Sequence, residues 1–408
     1  MGNLSQELGF LDISLATSGY IIGAGIYAII GIASKYGKKY TWISVIISGI
    51  IAICTGLSYA ELASMFEKNN SIYLYTKEAF NDHIATFMRY TSLFGEITAL
   101  STVALGLGQY ISSIINVKQK LISIILIISM GYLNYSGIRN TANFNNTSTI
   151  IEISGLLAII LFGMKYIGKK TFDVSSLNMD SIYPILVGTS VINIAYIGYD
   201  VIIHLSEETK NPKYNIPYGM MSGILLTIVL YSLVTLVAIS SIGWKALSSS
   251  KAPIADVARH ILGSTGGKII FFIATISMLN TLLMGNVGAS RLLHSIIEDS
   301  PTKLPFNLTE VDKETNTPYK SIFMVTLCSV LVLFCGNLEK VTSYTNISTL
   351  LIFIIVNIAV VKMRLTKPID KSKFNIPFNI YNVPVSAIIG SVLSIFFTYL
   401  TIAHNIKI

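Results

Sequence analysis

Runs of about twenty apolar residues recur along this chain, with short polar stretches between them. About twenty such residues are needed to cross the hydrocarbon core of a bilayer. Eleven runs meet that mark, at 13–34, 41–65, 84–115, 119–136, 147–167, 183–205, 217–243, 267–297, 321–336, 342–363 and 383–404. They predict helices, because a backbone in lipid must satisfy its own polar groups. The ten-residue alternating segments of a membrane barrel do not occur. Connections such as 66–83, 168–182 and 298–319 leave no room for an inserted soluble domain. Pro217 suits the first turn of the seventh helix. The expected fold class is an all-α integral membrane protein with about eleven transmembrane helices in one domain covering 1–408.

Composition narrows the function class. Of 408 residues, 52% are hydrophobic and 12% charged, and the mean hydropathy is +0.65. Soluble domains carry about 25% charged residues, so a soluble enzyme is excluded. The net charge of +8 comes from basic residues scattered singly or in pairs between apolar runs. They form no basic face, so nucleic acid is not an expected partner. Cys54, Cys328 and Cys335 lie within apolar segments without metal-ligand spacing and read as small packing residues. The first twelve residues hold Glu7 and Asp12 but no Lys or Arg, and so lack a leader's basic region. Gly2 is not set in a full lipidation pattern. Lys and Arg divide almost evenly between the two sides. The basic segment after span ten (Lys362, Arg364, Lys367, Lys371, Lys373) is the clearest inside signal and agrees with a cytoplasmic N-terminus.

The first span holds Ile22-Gly23-Ala24-Gly25-Ile26 near its middle. One reading is close packing of helices through small residues. The other is a break, since glycine weakens a helix and broken helices at mid-membrane occur where they line a cavity. The freed N–H groups of the second half would then hold a carboxylate. The sixth span repeats the feature in Asn193-Ile194-Ala195-Tyr196-Ile197-Gly198-Tyr199-Asp200. Interruptions in matching positions of two halves favour the broken-helix reading and point to a transporter's binding site.

Several of these residues, in order, resemble the amino acid–polyamine–organocation permeases. Ile22-Gly23-Ala24-Gly25-Ile26-Tyr27 looks like the opening of that family. Tyr59-Ala60-Glu61-Leu62 looks like the close of its span two, and Leu133-Asn134-Tyr135-Ser136-Gly137-Ile138-Arg139 like its exit from span four. Ala195-Tyr196-Ile197-Gly198-Tyr199-Asp200, with Glu207-Glu208-Thr209-Lys210-Asn211-Pro212 and Ile216-Pro217, is the strongest match. It is nearest to the cationic amino acid transporter branch and its bacterial relatives. Ser290-Arg291-Leu292-Leu293, Leu304-Pro305 and Thr317-Pro318-Tyr319 resemble the exit from span eight. The resemblance implies two inverted five-helix repeats, about 13–167 and 183–363, with an extra helix at 383–404 and breaks in helices one and six. It also implies substrate contacts. Backbone groups of Ile22, Gly23, Ala24, Gly25 and Ile26 would meet a carboxylate. Free carbonyls of Ile194, Ala195 and Ile197 would meet an amino group, with Tyr196 and Gly198 in the same site. The chain departs from the family in having no aromatic lid at Ile194, in Asn69-Asn70-Ser71 before Tyr73 and Tyr75, and in lacking a twelfth span.

Acids at membrane depth are functional candidates. Glu96 in span three reads either as a selector of cationic side chains or as a structural hydrogen-bonding group. Glu61, Glu207 and Glu208 lie near helix ends and read as interfacial, with Glu207 or Glu208 a gating candidate. Arg291 and His294 read as snorkelling or as an inner gate. Asp200 is a coupling or gating candidate, with His204 four residues on as a proton-relay partner. Glu152 stands where the resemblance places a lysine in many proton-linked members. It is a candidate to bind and release a proton or to coordinate a cation; the alternative is a passive carboxyl near the interface.

There is no phosphate-binding Gly-rich loop, no metal motif and no hydrolase triad, so no cofactor and no enzymatic activity are expected. The reading is a secondary transporter of amino acids, cationic ones among the candidates, working by alternating access. Its partners are the substrate, a proton or other coupling ion, and the lipid bilayer. The rival is a non-transporting membrane sensor or interaction protein on the same fold.

Overall fold

A chain with this little polar surface folds by hydrogen-bonding its backbone within helices and matching helix faces to one another. The computed structural model describes residues 6–66, 71–112, 115–168, 178–299, 309–366 and 373–405. Leu304, Pro305, Asn69, Asn70, Lys367 and Lys371, singled out above, lie outside the described residues, as does the side chain of Ala24.

The first apolar run forms α1 (Phe10–Ala24), a π-helical turn (Gly25–Ile29) and α2 (Ile30–Gly37). After it come α3 (Thr41–Met65), α4 (Ser71–Ala79), α5 (Asp82–Ser112), α6 (Gln119–Tyr135), α7 (Ile138–Gly163) and α8 (Met179–Ile192). Two 3₁₀ segments follow, Asn193–Tyr196 and Tyr199–Glu208, and then α9 (Pro212–Ser249) and α10 (Pro253–Glu298). The chain continues through α11 (Tyr319–Val332), α12 (Leu338–Thr366), a hairpin of β1 (Asn379–Ile380) and β2 (Val383–Pro384), and α13 (Val385–Asn405). Among the described residues, 9 helical stretches are long and apolar enough to cross a membrane. The two remaining apolar runs are shorter helices, α6 with 17 residues and α11 with 14.

Two expected connections are helical. The 66–83 stretch contains α4, and most of 244–266 belongs to the ends of α9 and α10, which bend at Gly243 and Gly263. Pro253 supplies the first turn of α10, where a missing N–H costs nothing. Burial is inverted at the periphery. Tyr132, Leu161, Phe272 and Phe323 point outward, the arrangement expected of lipid-facing helices, while polar side chains such as Asn134, Asn145, Asn280 and Arg291 are buried. Cys54 is buried and Cys328 half-buried, but Cys335 is exposed rather than packed. α1 sits at the centre, against α7, α9 and α10.

Candidate functional site

Both glycine-marked segments leave α-helical geometry. In α1 the backbone departs at Gly23 (φ −21°, ψ −113°) and continues as the π-helical turn. In the sixth span, α8 ends at Ile192, and Ile197 is extended (φ −71°, ψ 145°) between the two 3₁₀ pieces. Gly198 there has φ +127° and lies against the ring of Tyr20, where a Cβ would have no room. Only glycine fits that turn. The 3₁₀ run of 10 residues from Tyr199 to Glu208 is long for a geometry that rarely exceeds three or four residues.

The two breaks touch. A Cβ on Gly25 would stand 2.6 Å from Tyr231 Oη and 2.7 Å from the carbonyl oxygen of Ala195. Beside this contact is a pocket of about 60 Å³, walled by Tyr20, Gly25, Ile194 and Ile197 of the breaks. Ala99 and Val103 of α5, Thr281 of α10 and Thr345 of α12 close its far side. Among the described residues no charged side chain lines it. Ile29 and Ile194 are shared with a vestibule of about 910 Å³ that widens past Gln109, Asn346 and Asn337 to Lys35 and Lys120.

The opposite side, where the N-terminal segment lies, is sealed. The N–H groups of Glu7 and Leu8 donate to the Glu208 carbonyl, each at 3.0 Å, and Lys210 N–H donates to Leu8 O at 2.8 Å. The Glu208 carboxylate accepts from Arg291 at 3.2 and 3.3 Å, and both side chains are fully buried. Arg291 also donates to Asn134 Oδ1 at 2.6 Å, and Asn134 donates to Asn286 at 2.7 Å. A second buried pair joins α3 to α12. Arg364 donates twice to Glu61, at 2.5 and 2.6 Å, and Ile376 N–H donates to the same carboxylate at 2.8 Å. Glu61, Glu208 and Arg291 are therefore buried in paired contacts rather than exposed at the surface of the bundle. A charge at that depth is held by a partner because it would otherwise be unpaired in a low dielectric.

The remaining candidates fall in three places. Glu96 lies one helical turn from Ala99, off the pocket wall, with His204 Nε2 2.9 Å from its carboxylate. Asp200 accepts from Gly198 N–H at 3.1 Å and so caps the break itself. His204, four residues on along the 3₁₀ run, faces Glu96 and remains within electrostatic reach of Asp200. Glu152 is buried on α7 and accepts from Ser277 Oγ of α10 at 2.5 Å. Beside it Asn280 donates to Asn145 at 3.0 Å, making the α7–α10 seam polar. Ile22, Ile26 and Tyr196 are buried behind the pocket. The Ala195 carbonyl, expected to be free, has the hydroxyl of Tyr231 at 3.2 Å. The sequence reading missed Tyr231, Ser277 and Asn280. The two buried on α10 carry the signal used for the acids, a polar side chain at membrane depth. Among the described residues no cluster of His, Cys, Asp or Glu could hold a metal.

A family model described as amino acid permease matches residues 8–406. The methylthioribose transporter of Bacillus subtilis is 24% identical over 417 residues, covering 97% of this chain and 88% of that protein. The branched-chain amino acid permease of the same organism is 24% identical over 397 residues, covering 92% and 84%. The vacuolar cationic amino acid transporter 4 of Arabidopsis thaliana is 24% identical over 393 residues, covering 90% of this chain and 64% of that protein.

Proposed function

Because the chain belongs to the amino acid permease family, we propose that this multi-pass membrane protein is a secondary transporter that moves an amino acid by alternating access. The observation that carries the reading is the meeting of two interrupted helices at one pocket, open to a vestibule on one side and sealed by buried ion pairs on the other. A binding site at the junction of discontinuous helices, alternately exposed, is how such transporters work. In this reading eleven spans form two inverted five-helix repeats and one extra helix within a single domain, with the N-terminus cytoplasmic. Backbone groups of Ile22 to Ile26 receive the carboxylate, and those of Ile194 to Gly198 the amino group. Glu152 and Asp200 serve coupling or gating, with a proton or another ion supplying the drive.

The experiment is uptake of the twenty labelled L-amino acids into liposomes containing the purified protein. Saturable uptake of at least one is expected. Folded protein that takes up none would favour the sensor or interaction reading.

The named relatives are called after different solutes, so side-chain preference must come from this chain's own pocket. The cationic preference rests on Glu96, which would have to leave His204 to meet an ammonium or guanidinium group. A second reading is favoured by the wall itself. Ala99, Val103, Ile194 and Ile197 suit a small neutral side chain, since burying a charge without a partner is costly. Competition decides between them. If Glu96 selects cations, they outcompete neutral amino acids of similar size and Glu96→Gln removes the preference. An unchanged profile in that variant returns Glu96 to a structural role.

A further inference from the structure

Two threonines face each other across the far wall of the pocket. Thr102 of α5 and Thr345 of α12 line it together, with their Oγ1 atoms 3.3 Å apart. Other threonines of α5 turn back on their own helix, Thr91 to Phe87 O at 2.8 Å and Thr98 to Gly95 O at 2.9 Å. That is a common habit of a helical threonine. Thr102 points instead to another helix, and its hydroxyl has Thr345 as its partner among the described residues. Thr345 is buried and donates to Val341 O at 3.2 Å. A hydroxyl has one hydrogen and two lone pairs. With the Thr345 hydrogen on Val341, Thr102 supplies the hydrogen between the pair, and its own lone pairs stay open. The bond is long besides, since two hydroxyls settle at about 2.7–2.8 Å. The other polar groups of the wall are turned elsewhere. Thr281 reaches Ser277 O and Tyr20 O at 3.3 and 3.4 Å, and the Tyr20 hydroxyl lies against Gly285 of α10.

We propose that the pocket selects a small neutral amino acid with a side-chain hydroxyl, serine or threonine, and that Thr102 is the residue that determines the choice. The proposal rests on the transport reading above and names the solute class of that site. Space limits the side chain first. About 60 Å³ holds about four to six water-sized groups, and the main-chain atoms of an amino acid take most of them. Ala99, Val103, Ile194 and Ile197 then disfavour a charge, which would be buried there without a partner. Thr102 makes the last distinction, because a solute hydroxyl donates to its open lone pairs and a methyl group cannot. The preference is moderate. Thr102 and Thr345 hold each other when no hydroxyl arrives, so alanine forgoes a bond without leaving a buried group unpaired. A net bond of this kind corresponds to about a three- to tenfold preference.

The test measures uptake into liposomes of labelled serine, alanine, threonine and valine, as maximal rate over KM. Serine and alanine differ by one hydroxyl, and threonine and valine have the same shape. Wild type should favour each hydroxyl member over its partner by about three- to tenfold. Thr102→Val removes the hydroxyl and should bring both ratios to about one or below. Thr102→Ala is read in the same way if Thr102→Val fails to insert. Thr102→Ser restores a hydroxyl and should keep both ratios above one. Thr98→Val, one turn earlier on α5 and bonded to its own helix, should leave them at the wild-type value. The proposal is overturned if wild type carries alanine and valine as well as serine and threonine, or better. It is overturned too if Thr102→Val leaves the ratios unchanged or lowers both members of each pair equally, which would make the hydroxyl structural. Uptake of other amino acids but none of these four overturns it while leaving the transport reading intact. Wild-type protein that carries none of the twenty removes both.

Discussion

The two sides of the central pocket are built from opposite materials. Towards the vestibule the walls mix apolar side chains such as Ile32, Leu105 and Val191 with uncharged polar ones such as Gln109 and Asn346, with Lys35 and Lys120 at the mouth, and they leave about 910 Å³ of space. Towards the N-terminal segment the same helices close on fully buried charges, Glu208 with Arg291 and Glu61 with Arg364. The open side needs only to admit a solute and can be loosely specified. If the protein works by alternating access as proposed, the closed side must be shut tightly yet open again within a cycle. A buried ion pair suits that duty: its members hold one geometry while paired, and the pair returns little net stability relative to an apolar contact of the same shape. On that proposal the difference places the asymmetry of the cycle in a few side chains on one face.

The most severe way to break the comparison is at the point both sides share. Gly25→Val places a branched side chain where even a Cβ would be 2.6 Å from Tyr231 Oη and 2.8 Å from Ala195 Cα. Neither break can retreat without disturbing the other. Saturable uptake should be abolished while the protein still inserts and elutes as a single species. Normal uptake by Gly25→Val would show that the breaks do not form the site.

The next largest effect is expected at the seal. Arg291→Met leaves Glu208 buried without its partner, a change that costs about 3–5 kcal/mol in measured cases. In a background with Cys54, Cys328 and Cys335 replaced by alanine, Ser206→Cys reports on this side, because Ser206 is buried in the sealing segment. Its labelling by an impermeant maleimide should rise at least tenfold on adding Arg291→Met. The double change Glu208→Gln with Arg291→Met should label less than Arg291→Met alone, since no lone charge remains. Equal labelling in all three would remove this pair from the gate.

A smaller and more selective effect is expected at the polar seam beside the pocket. Glu152→Gln keeps a side chain able to meet Ser277 but removes the ionisable group. Accumulation driven by a pH gradient should be lost, while exchange of internal for external amino acid should continue, because exchange needs no net proton movement. Gradient-driven accumulation at the wild-type level in Glu152→Gln would exclude a coupling role.

What the sequence made legible was local. The breaks lie at Gly23–Gly25 and at Gly198 because the signal is the residue type itself: glycine weakens a helix wherever it stands. The apolar runs located the helices for a similar reason. What stayed hidden depends on partners far along the chain. Glu61 meets Arg364 across 303 positions, and Glu208 meets Arg291 across 83. Each charge taken alone looked like one at a membrane interface. Tyr231 was hidden for another reason: a tyrosine within an apolar run looks like a packing residue, and its targets are carbonyl oxygens that every residue has. The helices at 244–266 escaped notice because their bends at Gly243 and Gly263 interrupt the apolar run without ending the helix.

The smallest effect should come from the lysines at the mouth of the vestibule, and that small size sharpens the contrast between the sides. Lys35 and Lys120 are exposed, each with its ammonium over a neighbouring ring, Tyr36 at 5.7 Å and Phe334 at 5.5 Å. Charges in contact with water interact weakly, typically by no more than about 1 kcal/mol, which corresponds to about a fivefold change in an equilibrium. Together they make the mouth positive without fixing a solute in one place. Lys35→Ala with Lys120→Ala should therefore shift KM by less than about fivefold. The direction should depend on charge: weaker uptake for a solute with net negative charge and slightly stronger for one with net positive charge. The shift should shrink as salt is raised from low to physiological strength, because ions screen charges about 8–10 Å apart. A loss of uptake as large as that of Arg291→Met, or one insensitive to salt, would mean that the vestibule holds the solute as specifically as the pocket does. The two sides would then differ in shape alone.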